Sequence, residues 1–143
     1  IRRTHEERMT HHHVAEILNC MARQILDFDE AKLREASVYE SLLEASKNGI
    51  KEFIIKLTQD NPSLYLVFDE KQRGIFSYAI LHRRENVFNL IHGLKGSAHM
   101  ITSRTDIYGN NMLHLVGTSL PTAEHDHKSS PALQMQRELQ WFK

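Results

Sequence analysis

Cysteine is almost missing from this chain: Cys20 stands alone among 143 residues. No disulfide can therefore form within it, and a lone thiol on the apolar face of an expected helix reads as a reduced core residue of an intracellular protein. Charge of one sign is missing too, with 18 Lys and Arg against 18 Asp and Glu and a formal net charge of +0. Arg2-Arg3, Arg83-Arg84 and the scattered lysines each have acids nearby, whereas a protein that neutralises phosphates shows a basic surplus or stripe. The expectation is no nucleic acid. No window of about 18 or more uncharged apolar residues occurs, and no charged-then-apolar leader precedes the first helix, so the chain reads as soluble. Catalytic motifs are lacking as well. There is no Gly-x-Ser-x-Gly elbow and no Gly-x-x-x-x-Gly-Lys-Ser/Thr loop, and the acids lie in mixed-charge helical stretches. Neither a catalytic residue nor a cofactor is expected.

What the chain does contain is a turn motif that runs straight into an apolar helix: Asp106-Ile107-Tyr108-Gly109-Asn110-Asn111-Met112-Leu113-His114-Leu115. Gly109 supplies a positive φ at a hairpin tip, and Asn111 stands where a helix cap is needed. The motif recurs. Asp69 lies ten residues before Ala79 as Asp106 lies ten before Val116, a register of 37, and Ala45 to Ala79 is a step of 34. That second step lays Phe53 on Val87, Ile54 on Phe88 and Leu57 on Ile91, so the apolar positions of a second helix coincide.

The pattern predicts an all-α chain of stacked antiparallel helix pairs. Residues 1–37 form an N-terminal helix and linker, with Thr10 as cap of a helix over about 11–27 whose apolar face is Val14, Ile17, Leu18, Met21 and Ile25. Asp29 is placed to cap a short turn through Lys32 to Glu35. Three units follow at about 38–68, 69–105 and 106–143. The first has helices to about Lys47 and Gln59 around a turn at Asn48-Gly49, and ends at Asn61-Pro62. Leu64 to Phe68 reads as extended. Helices are expected at about 74–82 and 84–93, with a looser connection through Gly96 and Ser103, then a helix over 111–119. Pro121 to Pro131 is a polar stretch bounded by prolines, hence a long loop. After it, Ala132, Met135, Leu139 and Phe142 fall on one stripe able to close the stack. Ala45, Ala79, Leu113, Phe53, Phe88, Ile91 and Leu115 are the expected buried set.

The Asp-x-x-Gly turn with His114, and the Leu-x-x-Ala-x-x-x-Gly-x-x-Glu run from Leu42 to Glu52, resemble ankyrin repeats. Gly109 to Leu115, the proline-containing loop, and Ala132 to Lys143 are similar to the last repeat of a large plant family, and Ile75 to Glu85 to its preceding repeat. Members of that family carry cytosolic ankyrin repeats followed by a C-terminal domain of membrane helices that begins near a Pro-Gly-Gly motif. The resemblance covers about 39–143. It implies a degenerate ankyrin solenoid, a non-catalytic role in protein binding within plant defence or stress signalling, and a membrane domain after Lys143 that would hold this part at the cytosolic face. Isoleucine at the first position and an unfinished helix over 133–143 agree with a fragment. Ser77 replaces the motif His, Gly74 the Thr, Ile75 and Met112 the Pro, and Val116 with Gly117 the Ala pair.

Ten histidines raise the question of metal. His11-His12-His13 points three rings in different directions on a helix, unlike the i, i+4 pair that helical ligands need, and His125-Asp126-His127 has no third ligand at a defined spacing. No metal is expected. His114 is read as structural, its ring tying turn backbones of neighbouring repeats together, as the ankyrin resemblance implies. The surface that remains is the row of hairpin tips and first-helix ends. Its candidate partner-binding residues are Glu70, Lys71, Arg73, Arg83, Arg84, Ile107, Tyr108 and Asn110. The alternative is a structural adaptor that braces a neighbouring domain or mediates self-association.

Overall fold

A computed structural model describes residues 2–118. Among these residues eight α-helices, α1 (Arg2–Leu26), α2 (Glu30–Glu35), α3 (Val38–Asn48), α4 (Lys51–Thr58), α5 (Ile75–Leu81), α6 (Glu85–Phe88), α7 (Ser97–Thr102) and α8 (Met112–Val116), are joined by connections that include 3-10 turns at Pro62–Leu66 and Asn89–Gly93. Among the described residues the chain is all-α, and its extended pairing is a single antiparallel bridge between Phe68 and Gly74. The expected loop over 121–131 and the stripe over 132–142 lie outside the described residues.

Helices α3, α5 and α8 form one row. The core runs along it: Leu42, Ile54, Ile75, Ile80, Ala79 and Val87 are completely buried, and Phe76 nearly so. Helix α4 doubles back on α3, and α6 doubles back on α5, through turns of the same construction. Gly49 (φ 74) and Arg83 (φ 55) are both left-handed. Behind them, the Ile50 N–H donates to the Ala45 carbonyl at 2.9 Å and the Arg84 N–H to the Ala79 carbonyl at 2.7 Å. These are αL helix ends with a 6→1 bond, 34 residues apart in the chain as the alanines are. Buried Ser46 donates its hydroxyl to the Ile75 carbonyl and so fixes α3 against the start of α5.

Several expectations need correction. Helix α1 begins at Arg2, and Thr10 caps nothing, because its hydroxyl donates to the Glu6 carbonyl at 2.9 Å within the helix. Only the last turns of α1 pack, through Ala22 and Ile25, so Val14, Ile17 and Met21 of the expected apolar face are exposed. Cys20 is exposed rather than buried, since at 100° per residue it lies about 160° around the helix from Ala22. Asp29 does cap α2, accepting from the Lys32 N–H at 2.8 Å. The stretch 64–68 is not extended throughout: Pro62 starts a 3-10 turn to Leu66, its ring presetting φ for a first helical turn. The connection after Gly96 (φ 81) is helix α7, anchored by buried Ile101.

Of the expected buried set, Ala45, Ala79, Ile91 and Leu115 are buried, and Phe53 and Phe88 are half-buried against the core. Leu113 is 63% exposed. Its equivalent one register earlier, Phe76, is covered by Phe88, Ile91 and Ile101 from the following segment of its own unit. The residues that would play that part for Leu113 follow position 118, outside the described residues.

Candidate protein-interaction surface

Two hairpins project from the helix row, and the four hydrogen bonds that close each turn recur at an offset of 37 residues. In the first, the Asp69 N–H donates to the Arg73 carbonyl at 3.0 Å and the Gln72 N–H to the Asp69 carbonyl at 2.9 Å. The Asp69 carboxylate accepts from the N–H groups of Lys71 and Arg73, each at 2.9 Å. In the second, the Asp106 N–H donates to the Asn110 carbonyl and the Gly109 N–H to the Asp106 carbonyl, each at 3.0 Å. Its carboxylate accepts from the N–H groups of Tyr108 and Asn110 at 2.9 Å. An aspartate at this position thus organises its own turn. The left-handed residue is Gly109 (φ 77) in one and Gln72 (φ 58) in the other.

The hairpins are bonded to each other. The Ile107 N–H donates to the Lys71 carbonyl at 3.1 Å. Arg73 donates Nε and Nη2 to Asp106 Oδ2 at 3.0 and 2.9 Å, with the arginine side chain 15% and the carboxylate 1% exposed. Burial alone would push the Asp106 carboxyl up, but the bonds from Asn110, Arg73 and Tyr108 outweigh it and hold the group below the usual carboxylate range. Tyr78 donates its hydroxyl to the other oxygen of Asp69. Burial, and then that bond, push the phenol up to about 12. His82, at the exit of α5, is held below the ordinary imidazole range by burial and by the cations Lys47 and Arg84.

The eight candidate residues therefore divide. Glu70 and Lys71 are exposed, as are Ile107 at 57% and Tyr108 at 64%, and these four sit together on the joined hairpin tips. Asn110 is half-buried in the turn. Arg73 lies under the tip, its guanidinium carbon 5.6 Å from the Tyr108 ring centre, where it supports that ring. Arg83 and Arg84 are at the opposite end of the helix row. Arg83 donates to the carbonyls of Ile80 at 2.8 Å and Val116 at 2.9 Å, and Arg84 to Lys47 at 2.8 Å. Beside it Asn86 donates to the Gly49 carbonyl at 2.7 Å. Arginines at the end of α5 thus bind the open carbonyls at the ends of α8 and α3.

Arg104 was not among the candidates, yet it belongs to this end of the molecule: its guanidinium stands 4.0 Å over the Phe68 ring and donates to Gln72 Oε1 at 3.2 Å. The available signal was its place two residues before Asp106, at the foot of the second hairpin. His114 has a more local role than expected. Its Nδ1 accepts from the Asn111 N–H at 3.2 Å while Asn111 Oδ1 accepts from the His114 N–H at 3.0 Å, a capping box closed within one turn. Among the described residues no three His, Cys, Asp or Glu side chains gather where a metal could be held, and no helix is long and apolar enough to cross a membrane.

Compared with protein-family profiles, with curated proteins and with solved structures, the chain matches none.

Proposed function

We propose that this chain is a non-catalytic protein-interaction module, a short solenoid of degenerate ankyrin-type repeats that presents its hairpin tips to a protein partner. The observation that carries the reading is the repeated hairpin: one bond set at an offset of 37, with adjacent tips joined by the Ile107–Lys71 bond and the buried Arg73–Asp106 pair. Such a base holds exposed apolar and charged groups at fixed separation, and pre-organised side chains lose less entropy on binding. Tyr108 and Ile107 supply the apolar anchor, and Glu70 with Lys71 supply the polar rim. In the wider proposal this module lies on the cytosolic face of a membrane and serves plant defence or stress signalling, as the family resemblance implies.

The test compares wild type with Ile107→Asp and Tyr108→Ala as baits. Loss of a captured partner by both variants, at unchanged melting temperature, supports the reading; undiminished capture by both rejects it. Membrane attachment is tested on a longer natural chain by fractionation, where a soluble product ending soon after Lys143 rejects that part. A structural adaptor is the second reading, favoured by the exposed Met9, Val14, Ile17 and Met21 on α1. Sedimentation that shows self-association abolished by Ile17→Asp would select it.

A further inference from the structure

His82 stands where the end of α5 meets α3. It is the C-cap of α5, its backbone N–H donating to the Tyr78 carbonyl at 3.0 Å, and it is half-buried. Its ring centre lies 6.3 Å from that of Tyr78, and the Lys47 ammonium of α3 stands over the same tyrosine at 4.9 Å. The turn into α6 brings Arg84, whose Nε donates to the Lys47 carbonyl at 2.8 Å. The acid facing them is Glu44 of α3, already engaged by Lys47 at 3.1 Å and by the Asn48 amide at 3.0 Å. On the α8 side stands Arg83, donating to the Ile80 and Val116 carbonyls. The end of a helix would otherwise favour a cation, but those carbonyls are occupied. A proton on the imidazole therefore adds positive charge beside Lys47 and Arg84, with a carboxylate that is already bonded to offset it. Burial, then Lys47 and Arg84, hold the group below the ordinary imidazole range against the pull of Glu44.

We propose that His82 is a pH-sensitive joint of the helix row: neutral, it lets α3, α5 and the first hairpin lock together through Tyr78, and on taking up a proton in mildly acidic medium it loosens both the seam and the hairpin. Tyr78 is the link. Its ring faces His82 and Lys47, and its hydroxyl ends on Asp69, whose carboxylate also accepts from the N–H groups of Lys71 and Arg73. A displaced phenol thus reaches the turn that carries Glu70 and Lys71. The inference rests on the hairpin-face reading and adds its regulation, since the tips keep their fixed spacing at neutral pH and lose it in acid. Because the folded group is lowered, the folded state is favoured above the unfolded value of about 6.5 and loses that advantage as pH falls from there through the lower folded value.

The test follows the isotope-labelled chain by NMR from about pH 7.5 to about pH 5, the window in which histidine titrates, with wild type, His82→Gln and Lys47→Gln compared. Expected is a His82 midpoint below about 6.5 that rises in Lys47→Gln. The Tyr78 ring and the amides of Lys71 and Arg73 should move with that same midpoint in wild type and stay still in His82→Gln, whose difference from wild type removes the contribution of every other histidine. Urea unfolding over the same range should show the folding constant of wild type falling at least about threefold relative to that of His82→Gln. A midpoint at or above the ordinary value or unmoved by Lys47→Gln overturns the proposal. So do hairpin amides that stay still in wild type or move equally in His82→Gln, and equal acid sensitivity of the two stabilities. Any of these results leaves the hairpin-face reading standing, whereas full capture by Ile107→Asp refutes that reading and leaves the His82 joint as a device of stability alone.

Discussion

Gln72 and Gly109 occupy one position of the repeated turn, both at positive φ, yet only one of them is a glycine. A side chain in the left-handed region costs roughly 1–2 kcal/mol, and glycine removes that cost while giving back part of it as unfolded-state entropy. Gln72→Gly should therefore stabilise the protein by about 0.5 kcal/mol, and Gly109→Ala should destabilise it by about 1 kcal/mol, both read from urea unfolding. Asp106 is the other residue of consequence, because it organises its turn and neutralises Arg73 in a buried pair. Asp106→Ala leaves that arginine without its partner and should cost on the order of 3 kcal/mol. Its pKa is depressed on folding, so the carboxylate's contribution is fully present above the unfolded value of about 3.9 and is lost as pH falls from there through the lower folded value. Melting temperatures of wild type and Asp106→Asn should accordingly converge below about pH 4 and differ most above about pH 5.

Within the elements, burial separates residues that share a sequence pattern. Phe76 is 1% exposed, with its ring 5.9 Å from that of Tyr65 and 6.5 Å from that of Phe88. Phe76→Ala should cost about 3–5 kcal/mol, Phe88→Ala about 1 kcal/mol less because that ring keeps solvent contact, and Leu113→Ala under about 1 kcal/mol. Equal losses at all three would mean that the helix row is misplaced. Helix α1 supplies a check of a different kind. Exposed Cys20 should react completely with a thiol reagent in the native protein, at the same extent as in urea, whereas a core thiol would wait for unfolding.

For the molecule as a whole, the division of the eight candidate residues makes charge reversal informative. The sequence alone suggests that reversing Lys71, Arg73, Arg83 and Arg84 leaves stability unchanged, but three of these bond to residues distant in the chain. Lys71→Glu should shift stability by no more than about 0.5 kcal/mol, as an exposed substitution does. Arg73→Glu places two carboxylates together under the hairpin tips and should cost at least about 3 kcal/mol. Arg84→Glu should fall between, because it gives up the bond to the Lys47 carbonyl. Chemical denaturation of the three variants side by side checks the order.

Much of this was legible from local chemistry. Apolar spacing, Asn111 and Asp29 as caps, Gly49 at a helix end and the aspartates that open both hairpins act over a few residues, so the all-α class, the hairpins and the first-helix row follow from the chain itself. The repeat register also located Ala45 and Ala79 in the core. What tertiary structure decided depends on contacts between distant residues. Which side of α1 would be covered, and so whether Cys20 or Ala22 is buried, is set by the position of α4. That Phe76 is shielded is set by the segment bearing Phe88, Ile91 and Ile101 that folds over it. Arg73, Arg83 and Arg84 looked like binding residues because an arginine's type says nothing of its partner. Their partners, Asp106, Val116 and Lys47, lie 33 to 37 residues away, and only the packing of the helices and hairpins brings those oxygens within hydrogen-bond reach.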